Sequence, residues 1–142
     1  MCPIMNVMNT ALRSMAGRRL RVLLVGHAGT ASVALSAWLS EREKLLDVAG
    51  PAETTAAAVT LAASFEPDVV LLDFHGLPAS ISYTVSLLKD LSPSPLVLVL
   101  THDASAIMRQ RCHEARVDAV FDKTTELETV AALLEQTRKS IA

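Results

Sequence analysis

The chain has 142 residues, 51% of them hydrophobic and 20% charged, with a formal net charge of -2. This composition excludes a disordered chain, and the near-neutral charge gives no electrostatic argument for binding nucleic acid. No apolar run approaches the roughly 18 residues that span a membrane. Cys2 and Cys112 form neither a disulfide framework nor a metal-binding spacing, which indicates free thiols in a reducing cytoplasm. We therefore expect a cytoplasmic protein with no nucleic-acid or membrane partner.

Residues 1–19 differ from the rest of the chain because they are rich in methionine and end in a basic stretch. In a secretory signal the positive charge precedes an apolar core, and here that order is reversed. We interpret residues 1–19 as an N-terminal extension, disordered or helical, and residues 20–142 as one domain. Translation from Met1 and translation from Met15 both stay open.

From Leu20 onward, short apolar runs alternate five times with helical patterns. The predicted strands are Leu20–Gly26, Leu45–Gly50, Pro67–Asp73, Pro95–Thr101 and Val117–Phe121. Helices are predicted over Gly29–Arg42 and Ala104–Arg116, and three more are indicated by apolar stripes that run from Ala58 to Phe65, from Ile81 to Leu88 and from Leu127 to Leu134. Strict alternation with short connections predicts right-handed crossovers and a parallel sheet. Five such units predict an α/β fold of the flavodoxin-like (βα)5 type, a three-layer sandwich with strand order 2-1-3-4-5.

A carboxylate ends the third predicted strand. The run that leads to Asp73 is apolar throughout, which is typical of a strand buried on both faces of a parallel sheet. In open parallel sheets, ligands and chemistry lie at the carboxyl ends of the strands. Thr101 ends the fourth strand, and Lys123 follows the fifth. An acid, a hydroxyl and an ammonium on three strand ends indicate a site for phosphoryl chemistry on Asp73.

Two other interpretations of this edge stay open. His27 and His75 should both lie near Asp73, and two imidazoles with a carboxylate can bind Zn²⁺. Their spacing is not a known metal motif, so chance placement is the favoured interpretation. The sequence of residues 26–30 predicts a glycine-bearing turn before a helix, a place where backbone N–H groups can hold phosphate. The turn lacks both the Walker lysine pattern and the dinucleotide fingerprint, which favours a simple tight turn.

Over about Arg19–Ala142 the chain resembles the receiver domain of two-component response regulators. The matching stretches are Arg21–Val25, Glu66–Asp73, Val97–Thr101 and Phe121–Thr124. The resemblance implies that Asp73 accepts a phosphoryl group from a histidine kinase or phosphotransfer protein. It also implies that Lys123 pairs with the acyl phosphate and that Thr101 moves to bond it. Such a domain is a signalling module and not an enzyme.

Two further stretches are similar to proteobacterial regulators that consist of a receiver alone. They are Arg109–Cys112 on the fourth helix and the sequence from Phe121 to Glu126. No DNA-binding helix-turn-helix follows Ala142, so we expect a stand-alone receiver whose output is read by another protein. The alternative is a pseudo-receiver, an interaction module that is regulated without phosphorylation.

The sequence departs from the receiver pattern at the metal site. Receivers hold Mg²⁺ with the phosphoacceptor and two adjacent acidic residues at the end of the first strand, and here those positions are Gly26 and His27. Mg²⁺ prefers oxygen ligands and neutralises charge on phosphoryl oxygens. Because Asp73 is the only side-chain carboxylate that we can assign to this site, we expect Mg²⁺ binding to be weak or absent.

The surface that transmits the signal also departs from the pattern. The switch aromatic, usually three residues before the lysine, is Val120, and Phe121 should face the other side of the sheet. We expect a face built from the fourth and fifth helices to contact a downstream protein or a second copy of the chain. Its polar contacts are predicted to be Arg109, Arg111, Arg138 and Lys139. A solvated basic face that binds nothing is an equally good interpretation.

Overall fold

Five parallel strands form one sheet in the part of the chain that the computed structural model describes, which comprises residues 19–26, 37–42, 44–73, 78–102, 104–123 and 125–141. The strands are β1 (Leu20–Val25), β2 (Leu46–Ala52), β3 (Val69–Asp73), β4 (Leu96–Thr101) and β5 (Ala119–Asp122). The helices are α1 (residues 37–40), α2 (Thr55–Phe65), α3 (Pro78–Lys89), α4 (Ala106–Glu114) and α5 (Leu127–Ile141). No helix in these ranges is both long enough and apolar enough to cross a membrane.

The strand order is β2-β1-β3-β4-β5, and every neighbouring pair is parallel. This arrangement confirms the predicted flavodoxin-like fold. Because β3 lies in the middle of the sheet, its carboxyl end is flanked by the ends of β1 and β4. A polar residue at the end of β3 therefore faces the crevice where ligands bind in folds of this kind.

Hydrophobic residues cover both faces of the sheet. On one face, Val69 and Leu71 of β3 pack with Val130 and Leu134 of α5. On the other face, the alternate residues of β3 pack with the apolar stripes of three helices. The residues on this second face include Val70, Leu72, Ala62, Val85, Met108 and Cys112. The sheet is thus the middle layer of three. Cys112 is buried in the second of these clusters, and its burial raises the pKa of its thiol.

The strand boundaries differ from the sequence prediction by one residue at β1 and β4 and by up to two residues at β2, β3 and β5. The second strand continues to Ala52, and its register with β1 shifts between Leu23 and Val25. Gly50 permits this path because its φ is +100°, and a Cβ there would lie 2.3 Å from the Leu24 carbonyl oxygen. The fifth strand begins at Ala119 instead of Val117, because the Val117 N–H still bonds to the last turn of α4.

Two acidic side chains join neighbouring segments at the amino edge of the sheet, opposite the candidate site. Asp68 Oδ2 accepts a hydrogen bond from the Arg21 N–H at 2.8 Å. Asp118 Oδ2 accepts from the Val97 N–H at 2.7 Å and pairs with Lys89 Nζ at 2.8 Å. These contacts fix the amino ends of the strands, and they supply matched controls for charged residues at the carboxyl edge.

Candidate functional site

Asp73 is the last residue of β3 and is only 4% exposed. The strand brings it there because the four residues before it are apolar and fully enclosed between the helix layers. A carboxylate buried in this way is costly unless a positive charge or hydrogen-bond donors compensate for the lost water. The fold must therefore supply a partner to Asp73.

Lys123 is that partner. Its Nζ forms a direct salt bridge with Asp73 Oδ1, and its side chain is only 9% exposed. Lys123 follows the last residue of β5, and its backbone N–H donates to the carbonyl oxygen of Thr101 at 3.0 Å. The pair is largely shielded from water, so the attraction between the two charges is much stronger than at the surface.

Thr101 ends β4, the strand that separates Asp73 from Lys123, and it is 3% exposed. In the sheet register, Leu100 is opposite Asp73 and Thr101 is opposite Asp122. The acid, the hydroxyl and the ammonium therefore lie on three consecutive strand ends, as the sequence predicts, and Lys123 contacts Asp73 directly. The roles of these residues in phosphoryl chemistry stay predictions.

Gly26 follows β1 and lies against Asp73. Its N–H donates to the Ala52 carbonyl oxygen at 2.8 Å, which fixes the position of the backbone. A Cβ at Gly26 would lie 3.0 Å from the Cβ of Asp73 and 3.0 Å from its carbonyl oxygen. The resemblance assigns this position to an acidic residue. Here the space next to the carboxylate admits no side chain without a shift of the neighbouring atoms.

The described residues at this edge do not fit a receiver-type magnesium site. Gly26 supplies no carboxylate, and Asp73 Oδ1 already contacts the ammonium of Lys123. Across the described ranges, no group of three or more His, Cys, Asp or Glu side chains is arranged to hold a metal ion. His27 and His75, the residues of the alternative zinc interpretation, lie outside the described residues, as do residues 1–18.

Arg109 of α4 contacts the segment that carries Lys123, and sequence reasoning missed this role. Its guanidinium donates to the Val120 carbonyl oxygen at 2.8 Å and to Glu126 Oε1 at 3.0 Å. No sequence signal could have revealed these contacts, since the acceptors lie 11 and 17 residues away. The Arg109 side chain is still 45% exposed, and its place on a partner-binding face stays a prediction.

Glu126 accepts a second hydrogen bond, from the backbone N–H of Asp122 at 2.9 Å. This N–H, and then the Arg109 guanidinium, hold the pKa of Glu126 below its ordinary value. Glu126 lies directly before α5, so the carboxylate joins the end of β5 to the start of that helix. The segment between them contains Lys123.

The remaining residues of the predicted partner face behave differently from one another. Arg138 pairs with Glu135 at 2.8 Å on α5, which raises the pKa of the arginine and lowers that of the glutamate. Arg111 and Lys139 are exposed. Binding of a partner to this face stays a prediction, with Arg109, Arg111, Arg138 and Lys139 as its polar candidates.

Val120, at the switch position, and Phe121, next to it, face opposite sides of the sheet, as the sequence predicts. Val120 is buried in the cluster that includes Met108 and Cys112 of α4. Phe121 is buried in the opposite cluster, with Val130 and Leu134 of α5. Neither side chain is an exposed aromatic that could rotate between two positions on the α4–β5–α5 surface.

No family model matches the sequence, and no curated protein matches it either. Solved structures do match. The signal receiver domain of NarL from Mycobacterium tuberculosis is 21% identical, with a TM-score of 0.70 over 84% of this chain and 97% of that one. The chemotaxis response regulator CheY4 of Vibrio cholerae is 19% identical, with a TM-score of 0.66 over 84% and 98%. The receiver domain of RcsB from Escherichia coli is 16% identical, with a TM-score of 0.69 over 83% and 94%. The chain has the fold of response-regulator receiver domains.

Proposed function

We propose that this chain is a signalling receiver in a phosphorelay and that Asp73 is its phosphoryl acceptor. The observation that carries the proposal is the buried salt bridge between Asp73 and Lys123, with Thr101 on the strand end between them. A buried ion pair is often no more stabilising than apolar residues of similar size. A contribution to stability is therefore a weak explanation for the buried Asp73–Lys123 pair, and a role in chemistry at the carboxyl edge of the sheet is a better explanation.

The proposed reaction is a transfer from a phosphohistidine of a histidine kinase or phosphotransfer protein. A carboxylate oxygen of Asp73 attacks the phosphorus atom and forms a P–O bond. The P–N bond breaks, and its electron pair leaves with the imidazole. The ammonium of Lys123, which contacts Asp73 Oδ1 before transfer, then balances charge on the phosphoryl oxygens, and the Thr101 hydroxyl donates a hydrogen bond to them.

The proposed output is a change in the surface formed by α4, β5 and α5. Lys123 is bonded through its backbone to Thr101 and follows β5 directly. A shift of its side chain toward a phosphoryl group would therefore act on this surface. A downstream protein or a second copy would read the change through Arg111 and Lys139, both exposed. In this proposal the chain is a cytoplasmic signalling module without an enzymatic activity of its own.

One observation favours a second function, that of a pseudo-receiver. A Cβ at Gly26 would lie only 3.0 Å from the Cβ of Asp73, and β1 brings no second carboxylate to the site. Phosphoryl transfer depends strongly on cations that neutralise the developing charge, and Lys123 is the cation that the described residues bring to Asp73. In a pseudo-receiver the Asp73–Lys123 pair would be permanent, and partner binding would be regulated without phosphate.

Labelling with acetyl phosphate, followed by intact mass spectrometry, tests the proposal. We expect one phosphoryl group per chain, lost in Asp73→Asn and retained in Asp68→Asn, a matched change of a partly buried carboxylate at the opposite edge. Labelling in the presence and absence of Mg²⁺ should differ little. Complete absence of labelling from acetyl phosphate and from a panel of phosphohistidine donors would reject the proposal and favour the pseudo-receiver.

A further inference from the structure

Arg109 joins α4 to both ends of the segment that carries Lys123. One terminal nitrogen donates to the Val120 carbonyl oxygen at 2.8 Å, and the other donates to Glu126 Oε1 at 3.0 Å. The third nitrogen, Nε, donates to the Ala104 carbonyl oxygen at 3.1 Å, just before α4 begins. A planar guanidinium with donors in a fixed geometry suits this task, and a lysine ammonium does not.

Glu126 continues the connection toward Lys123. The same oxygen that accepts from Arg109 accepts the Asp122 N–H at 2.9 Å. The Glu126 N–H donates back to the Asp122 carbonyl oxygen at 3.0 Å, and the Thr125 N–H donates to Asp122 Oδ1 at 3.2 Å. The backbone around Lys123 is thus held by hydrogen bonds on both sides.

Lys123 lies within this hydrogen-bond network, so the network affects the contact between Lys123 and Asp73. Lys123 lies between two of the three acceptors of Arg109, three residues after Val120 and three before Glu126. Its own N–H bonds to Thr101, so its backbone is fixed against β4 as well. Its flexible side chain must hold an ammonium against one buried oxygen, and a backbone held in this way reduces the entropy lost on forming that contact.

We propose that Arg109 is a positioning residue, which acts through the Val120 carbonyl and Glu126 to hold the Lys123 ammonium against Asp73. It touches neither reacting group and is not itself catalytic. Its effect on phosphoryl transfer rests on the function proposed above. Its effect on the contact between Lys123 and Asp73 does not, and can be measured without any phosphoryl donor.

Competitive acetylation of lysines, read by peptide mass spectrometry, tests this inference. Arg109→Met removes the donors and keeps a flexible apolar side chain. Lys89 is the internal reference, because it too is partly buried and paired with an aspartate, but at the opposite edge of the sheet. We expect the Lys123-to-Lys89 labelling ratio to rise about three- to tenfold, the factor that corresponds to one lost net hydrogen bond.

Two variants complete the design. Arg111→Met, a change of an exposed arginine on the same helix, should leave the ratio unchanged. Arg109→Lys, which can restore one hydrogen bond but not the paired geometry, should give an intermediate ratio. An unchanged labelling ratio in Arg109→Met would overturn the inference. This includes the case in which labelling of Lys123 and Lys89 rises by the same factor because the whole protein unfolds.

A second readout separates the inference from the proposed function. If both are correct, Arg109→Met also slows labelling of Asp73 by acetyl phosphate by a similar factor. A changed labelling ratio in a protein whose native form accepts no phosphoryl group would retain Arg109 as a positioning residue and reject Asp73 as the acceptor. An unchanged ratio in a protein that is phosphorylated on Asp73 would do the reverse.

Discussion

Gly26 and Asp73 are packed so closely that a Cβ on Gly26 would lie 3.0 Å from the Cβ of Asp73 and 3.0 Å from its carbonyl oxygen. The glycine therefore lets the end of β1 approach the carboxylate more closely than any other residue would. Its N–H bonds to Ala52, so the backbone cannot easily retreat. An acidic side chain at position 26 would therefore crowd Asp73 as well as change the charge of the site.

Gly26→Ala should destabilise the protein by about 1–3 kcal/mol, the usual cost of an extra methyl group in a well-packed place. Urea unfolding followed by circular dichroism measures the change. Gly50→Ala is the positive control, since its Cβ would lie 2.3 Å from the Leu24 carbonyl oxygen at a φ of +100°, and it should cost more. A Gly26→Ala protein as stable as the native one would show that the contact is loose.

Magnesium binding is predicted to be weak in the native protein, because Asp73 is the one side-chain carboxylate that the described residues bring to the site, and it is paired with Lys123. Titration calorimetry should detect no submillimolar Mg²⁺ binding. The double variant Gly26→Asp, His27→Asp should gain Mg²⁺ affinity and phosphorylate faster, with some loss of stability from the crowding at position 26. Submillimolar binding by the native protein that disappears in Asp73→Asn would contradict the argument from missing ligands.

The salt bridge between Asp73 and Lys123 should show strong coupling in a double-mutant cycle. Asp73→Asn and Lys123→Met should each cost about 3–5 kcal/mol, because each leaves a buried charge without its partner. The double variant should cost clearly less than the sum of the two. The exposed pair of Arg19 and Asp47 is the control, and its coupling should not exceed about 1 kcal/mol. Additive costs at Asp73 and Lys123 would mean that the two charges do not stabilise each other.

Stability should depend on the ionisation of Glu126. The Asp122 N–H and the Arg109 guanidinium hold the pKa of Glu126 below its ordinary value in the folded protein. A lowered pKa contributes stability above the unfolded value, about 4.3, and that contribution is lost as the pH falls through the folded value. The stability difference between the native protein and Glu126→Gln should therefore be constant near neutral pH and shrink below about pH 4.3. A difference that does not change with pH would contradict this assignment.

The fold and the Asp73–Lys123 contact were predictable because both follow from local patterns. The apolar run of β3 fixes a central strand, and strand alternation then determines which strand ends meet. The contacts of Arg109 and the tight approach of Gly26 to Asp73 were not predictable. They depend on the distances between helices and strands to within an ångström, and hydrophobic periodicity does not determine distances that accurately. For the same reason the sequence could not show that Arg109 bonds within the chain, since an arginine on a helix has the same sequence pattern whether its acceptor is a solvent molecule or the Val120 carbonyl.

The most direct test of the account is chemical identification of the phosphorylated residue. Borohydride reduces an aspartyl phosphate to homoserine, so peptide mass spectrometry can locate the acceptor after treatment with a phosphoryl donor. We predict homoserine at position 73, and much less of it in Lys123→Met, which lacks the ammonium that balances the phosphoryl charge. Homoserine at another aspartate, or none at position 73 after treatment with acetyl phosphate and with phosphohistidine donors, would contradict the assignment of Asp73 as the acceptor.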